Sequence, residues 1–337
     1  MALDLVLYKG SYLIATADMK VSLGLFLVTW VNSRMLADNS IYGVTEGTSM
    51  LETYIQAIKD MANRGVVSKN SFKLRYPHQP IRVSDSRLMR WLPRALISIC
   101  SQSQVDAGKC VCNKFQHVDI FSNRQMDAQA AVAVRHKRLI VSYRPTISKK
   151  NWETNANNKL VRYPKLSVDI KVHQGFLQHL ASIQAPTEAA VLRHLKDPKN
   201  KHHSLYITGF SLGGSVAALS TPMWHRLLKK HNLKNKIKVF IYSNPRPGNV
   251  NFSNHLNSLN IPIIRYAKSD DVVPHLPPQE QGYSQVGKEH LQSKSLPTIP
   301  CSNRYAEDPQ CGLKYTNFNQ SSHFLPFNSP MPTPPFC

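Results

Sequence analysis

Ser211 lies in the motif of this chain that carries the clearest chemistry, Gly209-Phe210-Ser211-Leu212-Gly213. An apolar stretch typical of a strand (205–207) ends just before the motif, and a helical stretch of small residues follows, which is the arrangement of a nucleophile elbow. Glycine two residues to either side of the serine permits a tight turn in which larger residues would clash. A serine at a helix N-terminus also places free N–H groups near a developing oxyanion. The motif predicts a nucleophilic serine, with a glycine-rich structural turn as the alternative.

A nucleophilic serine needs a base and a carboxylate that orients the base. In sites built on an elbow they follow in the order Ser, Asp or Glu, His. The β-branched run 261–267 predicts a buried strand, and the adjacent Asp270 and Asp271 follow it, at the sheet edge where the elbow serine emerges. His323 lies on a polar loop before an apolar segment. Spacing alone leaves either aspartate as the acid. Two other histidines also follow the aspartates, His275 and His290.

Five sequence blocks occur in a fixed order along the chain. They are Ile140–Thr146 with Asn151-Trp152 after it, Val172–Phe176, Gly209–Gly214, Ser243–Asn249 with Phe252 after it, and Asp271–Pro278. Together they resemble the class 3 lipases of filamentous-fungal type, and the resemblance covers roughly residues 85–337. It implies an α/β architecture, the α/β-hydrolase fold, with a central, mostly parallel sheet flanked by helices and a short helical lid.

The resemblance also implies a role for individual residues. It implies a catalytic triad of Ser211, Asp271 and His323. It places the oxyanion hole at Thr146 and Leu212, whose backbone N–H groups would each be worth about 3–4 kcal/mol of barrier. It favours Asp271 over Asp270 as the acid. It gives His275 no catalytic role.

Two of the three departures from the family pattern lie beside the predicted site, and the third is the block Lys288-Glu289-His290. Pro145 stands where the family has glycine; proline lacks an N–H, but the donor needed for the oxyanion belongs to residue 146. Phe210 replaces the usual histidine before the serine, which we interpret as a packing change.

The segment after the oxyanion residue matches the family's lid. Residues 147–157 predict a short, mostly polar helix whose large apolar groups are Ile147 and Trp152. The resemblance implies that this helix covers the serine in water and moves away at a lipid surface. A fixed surface helix, with Trp152 as an ordinary packing residue, is the alternative.

The N-terminal part of the chain predicts a secretory signal. An apolar run (21–31) follows Met19-Lys20, so translation starting at Met19 and cleavage after Ser33 or Ala37 fit the pattern, whereas a buried N-terminal helix is the alternative. A capping box predicts a helix over 49–64. We therefore expect an extension and signal in 1–37, a pro-segment or permanent helical extension in 38–83, and a catalytic domain in 84–337.

Six cysteines indicate an oxidising compartment and allow fifteen pairings. The resemblance implies the disulfides Cys100–Cys337 and Cys301–Cys311. It leaves Cys110–Cys112 as the third pair; because a C-x-C disulfide is strained, free thiols or pairing elsewhere are the alternatives. Cys and His spacings match no zinc site, and we expect neither a metal nor a cofactor.

The formal net charge is +22, from 42 basic and 20 acidic residues. A field of this size attracts anionic surfaces. Since no nucleic-acid recognition motif is found, we expect adsorption to anionic lipid or to wall polyanions and not binding to nucleic acid.

These features predict a monomeric, secreted serine hydrolase that cleaves long-chain acylglycerol esters at a lipid–water interface. A phospholipase A1 or a feruloyl esterase would use the same triad. An inactive relative that binds lipid or cell wall is the non-enzyme alternative.

Overall fold

The computed structural model describes residues 7–8, 11–12, 84–110, 115–293, 296–302 and 307–329. The chain divides into two compact units, Met1–Ile41 and Tyr42–Cys337. In the first, the short strands β1 (Leu7–Tyr8) and β2 (Ser11–Tyr12) pair antiparallel. The predicted signal segment and the predicted helix over 49–64 lie outside the described residues, so the boundaries at 37 and 83 stay predictions.

The second unit is built on one large sheet. Its strands are β3 (His117–Asn123), β4 (Ala128–Arg135), β5 (Arg138–Tyr143), β8 (Ser204–Phe210), β9 (Ile237–Tyr242), β10 (Ile263–Lys268), β11 (Lys288–Gln292) and β12 (Ile299–Pro300). Their order across the sheet is β12-β11-β10-β9-β8-β5-β4-β3. The five central strands, β5 and β8 to β11, run parallel, and the three outer ones pair antiparallel. A separate hairpin joins β6 (Leu160–Arg162) to β7 (Lys171–His173).

Helices cover both faces of this sheet. They are α1 (Asp85–Ala95), α2 (Gln102–Asp106), α3 (Lys149–Ala156), α4 (Gln174–Lys196), α5 (Leu212–Lys230) and α6 (Val250–Ser258). One core cluster joins α4, α5 and α6 to one face, and a second joins α1 to the other. Parallel strands need such cover, because their side chains are apolar on both faces. The predicted fold, a mostly parallel sheet flanked by helices, is confirmed.

Helix α1 packs through an aromatic stack. The Trp91 ring lies 4.4 Å from the Tyr206 ring of β8 and 5.2 Å from the Phe240 ring of β9, between centroids. Pro93 lies in the last turn of the helix. Proline has no N–H to donate to the carbonyl four residues earlier, and the helix ends two residues later at Ala95, after which Ile97 starts a separate 3₁₀ turn. Among the described residues, no helix combines the length and the apolar character that crossing a membrane requires.

The disulfide framework differs from the expected one. Cys100 is bonded to Cys110, with the Cα atoms 5.8 Å apart, so the expected pair Cys100–Cys337 is wrong, as is the pair Cys110–Cys112. The physical reason is local: α2 and the turn after it bring Cys110 back within disulfide reach of Cys100. Cys301 is bonded to Cys311, the pair that the resemblance implies. Cys112 and Cys337 lie outside the described residues.

Candidate active site

Ser211 occupies the turn between β8 and α5, at the carboxyl edge of the parallel strands. Its backbone has φ 54° and ψ −128°, a left-handed conformation that a non-glycine residue adopts only under strain. The Ser211 N–H donates to the carbonyl of Tyr242 at 2.9 Å, which ties the turn to the end of β9. This bond helps hold the strained serine at the carboxyl edge of the sheet.

Two glycines make this turn possible. A Cβ at position 209 would lie 2.2 Å from the carbonyl oxygen of Gly213, so the two arms of the turn touch through their backbones. A Cβ at position 213 would lie 2.0 Å from the carbonyl oxygen of Tyr143. Gly213 therefore lets the end of β5, which leads into the oxyanion segment, pass directly beside the first turn of α5.

The structure brings the three predicted triad residues together. His323 lies in the 3₁₀ helix Gln320–Phe324, and its Nε2 is 3.0 Å from the Ser211 Oγ. Its Nδ1 is 2.9 Å and 3.1 Å from the two carboxylate oxygens of Asp271. Because a carboxylate only accepts, Nδ1–H donates to Asp271 and Nε2 is left to accept from the serine hydroxyl. Asp271 is fully buried and His323 is 5% exposed, so water competes little for these bonds.

Asp270, the rival acid, is directed elsewhere. Its Oδ2 accepts from the Ser322 hydroxyl at 2.5 Å, and its Oδ1 lies 3.7 Å from the ammonium of Lys268. Its backbone carbonyl accepts from the N–H of Asn319 at 2.8 Å. Asp270 thus anchors the loop that carries His323, whereas Asp271 contacts the imidazole itself.

A buried ion pair fixes the loop after Asp271. The guanidinium of Arg246 forms two bonds to Glu307, at 2.8 Å and 2.6 Å, and also donates to the carbonyl of Pro277 at 2.8 Å. Burial alone would raise the pKa of the Glu307 carboxyl, but the charge and hydrogen bonds of Arg246 hold that pKa below its ordinary value. The Asp271 Oδ1 accepts in addition from the N–H of Val273 at 2.9 Å. The acid is therefore oriented by its own loop as well as by the histidine.

Thr146 follows β5 and carries the predicted oxyanion N–H. Its hydroxyl accepts from the amide of Asn155 at 3.0 Å, so the last turn of α3 holds this side chain in place. Leu212, the second predicted donor, is the first residue of α5, where helix N–H groups have no partner within the helix. Both predicted donors thus follow the ends of neighbouring strands.

Asp127, in the turn between β3 and β4, anchors the segment from β5 to α3. Its carboxylate accepts from Arg144 at 2.6 Å and from the hydroxyl of Ser148, the N-cap of α3. Its backbone carbonyl accepts from the amide of the buried Asn151 at 2.9 Å. The sequence analysis missed Asp127, although an arginine at the buried end of a strand signals that a carboxylate partner is needed. It missed Asn155 as well, and the sequence carries no signal for that contact.

The predicted lid is a helix, α3, that is somewhat shorter than expected. Trp152 is partly buried against Val272 and Val273, directly after the acid. Ile147 is 54% exposed. The two apolar side chains expected in the lid therefore differ in their surroundings. Trp152 contacts the loop that follows Asp271, whereas Ile147 faces solvent.

His173 links the last turn of α3 to the start of α4. Its Nδ1 accepts from the N–H of Phe176 at the start of α4, and its Nε2 lies 3.2 Å from the carbonyl of Asn155, to which it donates. The ring stacks on Phe176 at 3.6 Å between centroids. Burial lowers the pKa of His173 to about 3, so the imidazole is neutral and serves as a structural hydrogen-bond bridge.

The two other histidines after the aspartates lie apart from the serine contact. The ring of His275 packs 4.8 Å from the Phe318 ring, and burial, with Arg246 nearby, lowers its pKa to about 4. His290 lies buried on β11, beside Tyr266 of β10 in the strand register.

Metal-binding chemistry has little support in the described part of the chain. There, the group whose ligand atoms lie close enough together is Glu289 with Cys301 and Cys311. The two cysteines form a disulfide, so their sulfurs are not the thiolates that bind metals.

Residues 140–281 match the sequence model of a family described as Lipase (class 3). The chain is 29% identical over 206 residues to a lipase of Rhizomucor miehei, covering 60% of this chain and 53% of the relative. It is 30% identical over 167 residues to a secreted mono- and diacylglycerol lipase of Fusarium solani, covering 48% of this chain and 46% of the relative. The chain therefore matches about half the length of these curated relatives.

Solved structures extend the likeness to the whole fold. A fungal lipase–inhibitor complex, described as a model for interfacial activation, superposes with a TM-score of 0.64 at 26% identity, covering 72% of this chain and 94% of the other. The triacylglyceride lipase of Rhizomucor miehei superposes with a TM-score of 0.63 at 25% identity, covering 73% and 95%.

Proposed function

We propose, because residues 140–281 match the class 3 lipase family, that this chain is a secreted serine carboxylester hydrolase that cleaves long-chain acylglycerol esters at a lipid–water interface. The observation that carries the proposal is the unbroken hydrogen-bond chain from the Ser211 hydroxyl through His323 to the buried carboxylate of Asp271. In this geometry a neutral imidazole accepts the serine proton while the carboxylate stabilises the imidazolium that forms.

The first half of the reaction forms an acyl-enzyme. The Ser211 Oγ attacks the ester carbonyl carbon as its proton passes to Nε2 of His323, and the carbonyl oxygen becomes an oxyanion. The N–H groups of Thr146 and Leu212 donate to that oxyanion. The imidazolium then returns the proton to the leaving alcohol oxygen as the carbon–oxygen bond of the ester breaks.

The second half releases the fatty acid. A water molecule gives a proton to Nε2 of His323 and attacks the acyl-enzyme carbonyl, again through an oxyanion held by the same two N–H groups. Collapse of this intermediate returns the proton to the Ser211 Oγ and frees the carboxylic acid. Asp271 stays ionised throughout and keeps the imidazole in the tautomer that accepts at Nε2.

Apolar side chains beside the site support a lipid substrate. Ile147, one residue after the oxyanion donor, is 54% exposed, while Phe324 and Leu325, directly after the catalytic histidine, are 46% and 36% exposed. Large apolar groups exposed together on one face mark a surface that binds apolar partners. The Fusarium solani relative is named as a mono- and diacylglycerol lipase, which agrees with an acylglycerol substrate.

We infer that α3 acts as the lid. Trp152 packs against Val272 and Val273 in the described state, and a lipid surface offers the same side chain an alternative apolar contact. Burying one large side chain is worth about 2–3 kcal/mol, which shifts a two-state equilibrium by about thirty- to a hundredfold. Lys149 and Lys150 in the first turn add attraction to anionic lipid.

Secretion is supported by the disulfides Cys100–Cys110 and Cys301–Cys311, since disulfides persist in oxidising compartments. The apolar run over 21–31 would then be the signal.

A phospholipase A1 activity is the second candidate. The chain is 27% identical over 163 residues to a phospholipase A1 of Arabidopsis thaliana, covering 41% of this chain and 30% of the relative. The two candidates share the triad and differ in the alcohol that leaves: a glyceride that has lost one acyl chain in the first case and a lysophospholipid, with its headgroup still attached, in the second. Hydrolysis of a long-chain triacylglycerol, a diacyl phospholipid and a feruloyl ester, measured side by side, decides between them.

Ser211→Ala tests the proposed nucleophile. Loss of the nucleophile in a triad enzyme lowers the rate by about 10⁴–10⁶-fold, and we expect p-nitrophenyl ester hydrolysis, with short and long acyl chains, to fall by that amount while the circular dichroism spectrum and Tm stay unchanged. Residual activity above about a tenth of the wild type, in a correctly folded variant, would assign the chemistry to another residue.

A further inference from the structure

A groove with a cavity volume of about 540 Å³ lies at the far end of the sheet from Ser211. This volume falls in the range of small-molecule sites, about 300–1,000 Å³. The groove is formed by the end of α5, the loop into β9, and residues 260–262 before β10. Ser211 follows the carboxyl end of β8, and β8, β9 and β10 are parallel, so the groove lies at the opposite, amino edge of the sheet.

The groove has an apolar floor. The floor side chains, which are buried or half-buried, are Leu228, Leu233, Ile237, Ile261 and Pro262. These side chains belong to the same core cluster or pack against it, apart from the proline. An open apolar surface of this kind in a concave site favours a ligand with a hydrocarbon part.

Four lysines line the same groove, Lys229, Lys234, Lys236 and Lys238, and the last of these places its ammonium over the Tyr206 ring, 5.6 Å from its centroid, so that the other three supply the charge of the rim. None of the ion pairs among the described residues includes any of them. The sequence explains why: between Asp197 and Asp270 the chain has eleven lysines and arginines and no acidic residue. The groove therefore combines an apolar floor with an uncompensated positive rim.

His225, in the groove wall, is also affected by this positive charge. The pKa of His225 is lowered, first by burial and then by the positive charges of Lys229 and Arg226.

We propose that this groove binds a long-chain fatty acid, with the carboxylate on the lysine rim and the alkyl chain along the apolar floor. Charge complementarity selects an anionic head, and a carboxylate bound to an ammonium forms a charge-assisted hydrogen bond. A hydrophilic polyanion would leave the floor uncovered, and a concave groove admits a single chain but not a bilayer. This binding is separate from ester hydrolysis, because the groove and the serine lie at opposite edges of the sheet.

Binding of laurate below its critical micelle concentration tests the proposal, measured by titration calorimetry on the full chain carrying Ser211→Ala. Replacing two rim charges with Lys234→Gln and Lys236→Gln is expected to weaken laurate binding by about tenfold. The matched control, Lys159→Gln with Lys165→Gln, removes two exposed charges away from the groove and is expected to leave the affinity unchanged. Equal affinities of the two double variants would overturn the proposal.

Ligand chemistry and position are tested on the same protein. Methyl laurate, which lacks the charge, and acetate, which lacks the chain, are both expected to bind at least tenfold more weakly than laurate; equal binding of either one refutes the combined site. A spin-labelled stearate is expected to broaden the methyl resonances of Leu233, Ile237 and Ile261. Broadening confined to Ile147 and Leu325 would place the fatty acid at the catalytic face and refute the groove, while leaving the proposed lipase activity intact.

Discussion

The adjacent residues Asp270 and Asp271 have different roles although they are one position apart. The carboxylate of Asp271 orients His323, and that of Asp270 anchors the loop that carries His323. Both follow β10 and both lie in the loop that faces His323. The side chain of Asp271 is fully buried and reaches Nδ1 of the histidine, whereas that of Asp270 bonds to Ser322 and faces Lys268. The resemblance to the family favours Asp271, and the hydrogen bonds supply the physical reason.

Asp271→Asn and Asp270→Asn are therefore expected to differ. The first variant presents an amide to the imidazole, which stabilises the wrong tautomer, and kcat is expected to fall by about 10⁴-fold. The second variant keeps the triad and weakens only the anchor to Ser322, so its kcat is expected to fall by less than about tenfold. Steady-state kinetics with a soluble ester measure both, and equal losses in the two variants would contradict the assignment of Asp271.

The proposed lid, α3, is the element on whose position the proposed chemistry depends most. Its first turn is tied to Asp127 and its last turn to Thr146 and His173. A movement of α3 therefore acts on the oxyanion residue as well as on access to the serine. Coupling of this kind is expected where a mobile element completes a site.

Trp152→Ala tests the lid. With increasing amounts of a partly soluble ester, we expect the wild type to show a jump in activity when an emulsion forms, because the lipid surface replaces the contact of Trp152 with the acid loop. The variant has lost that contact in both states, and its jump is expected to be smaller. Activity that saturates smoothly through the solubility limit in the wild type would contradict both the lid and the triacylglycerol substrate.

The disulfide Cys100–Cys110, which spans α2, can be tested directly. Peptide mapping without reduction, with a protease that cuts at Val111 to separate the neighbouring cysteines, is expected to show Cys100 linked to Cys110. Cys112 and Cys337 are then the two cysteines of the sequence left over. A peptide that links Cys100 to Cys337 would restore the pairing that the family resemblance implies.

Acid stability is a property of the whole molecule. Burial lowers the pKa of His173 to about 3, and burial, with charge effects, lowers those of His179 and His275 to about 4. In the unfolded chain a histidine takes up a proton near pH 6.5. Between these values the unfolded state binds up to three more protons than the folded state, so stability is fully present above about pH 6.5 and is lost as the pH falls towards 4.

The free energy of unfolding, measured in urea between pH 7.5 and 4.5, is therefore expected to fall by up to about 4 kcal/mol per pH unit. The buried Glu289 opposes this loss, because burial raises the pKa of its carboxyl and the folded state gains a proton early. His179→Leu, which removes a buried imidazole, is expected to reduce the slope by about a third. A free energy that stays constant over this pH range would show that the histidines are protonated in the folded state.

By itself, the sequence indicated the fold class, because five motif blocks in a fixed order resemble those of a family with that fold. The elbow at Ser211 could be identified there, since only glycine fits where the backbone of Gly213 touches that of Tyr143. The short helix after Thr146 was also predicted, because the segment matches the family's lid. These are local properties, which depend on residues that are neighbours in the sequence.

Only the tertiary structure decided which distant groups meet. The bond from Asn155 to Thr146, the anchoring role of Asp127 and the pairing of Cys100 with Cys110 each depend on where a turn or a short helix returns to the fold. The groove of lysines is of the same kind, since its charges are visible in the sequence but its apolar floor forms only when α5 packs beside β9 and β10. Such contacts depend on directions in space that side-chain type and spacing do not encode.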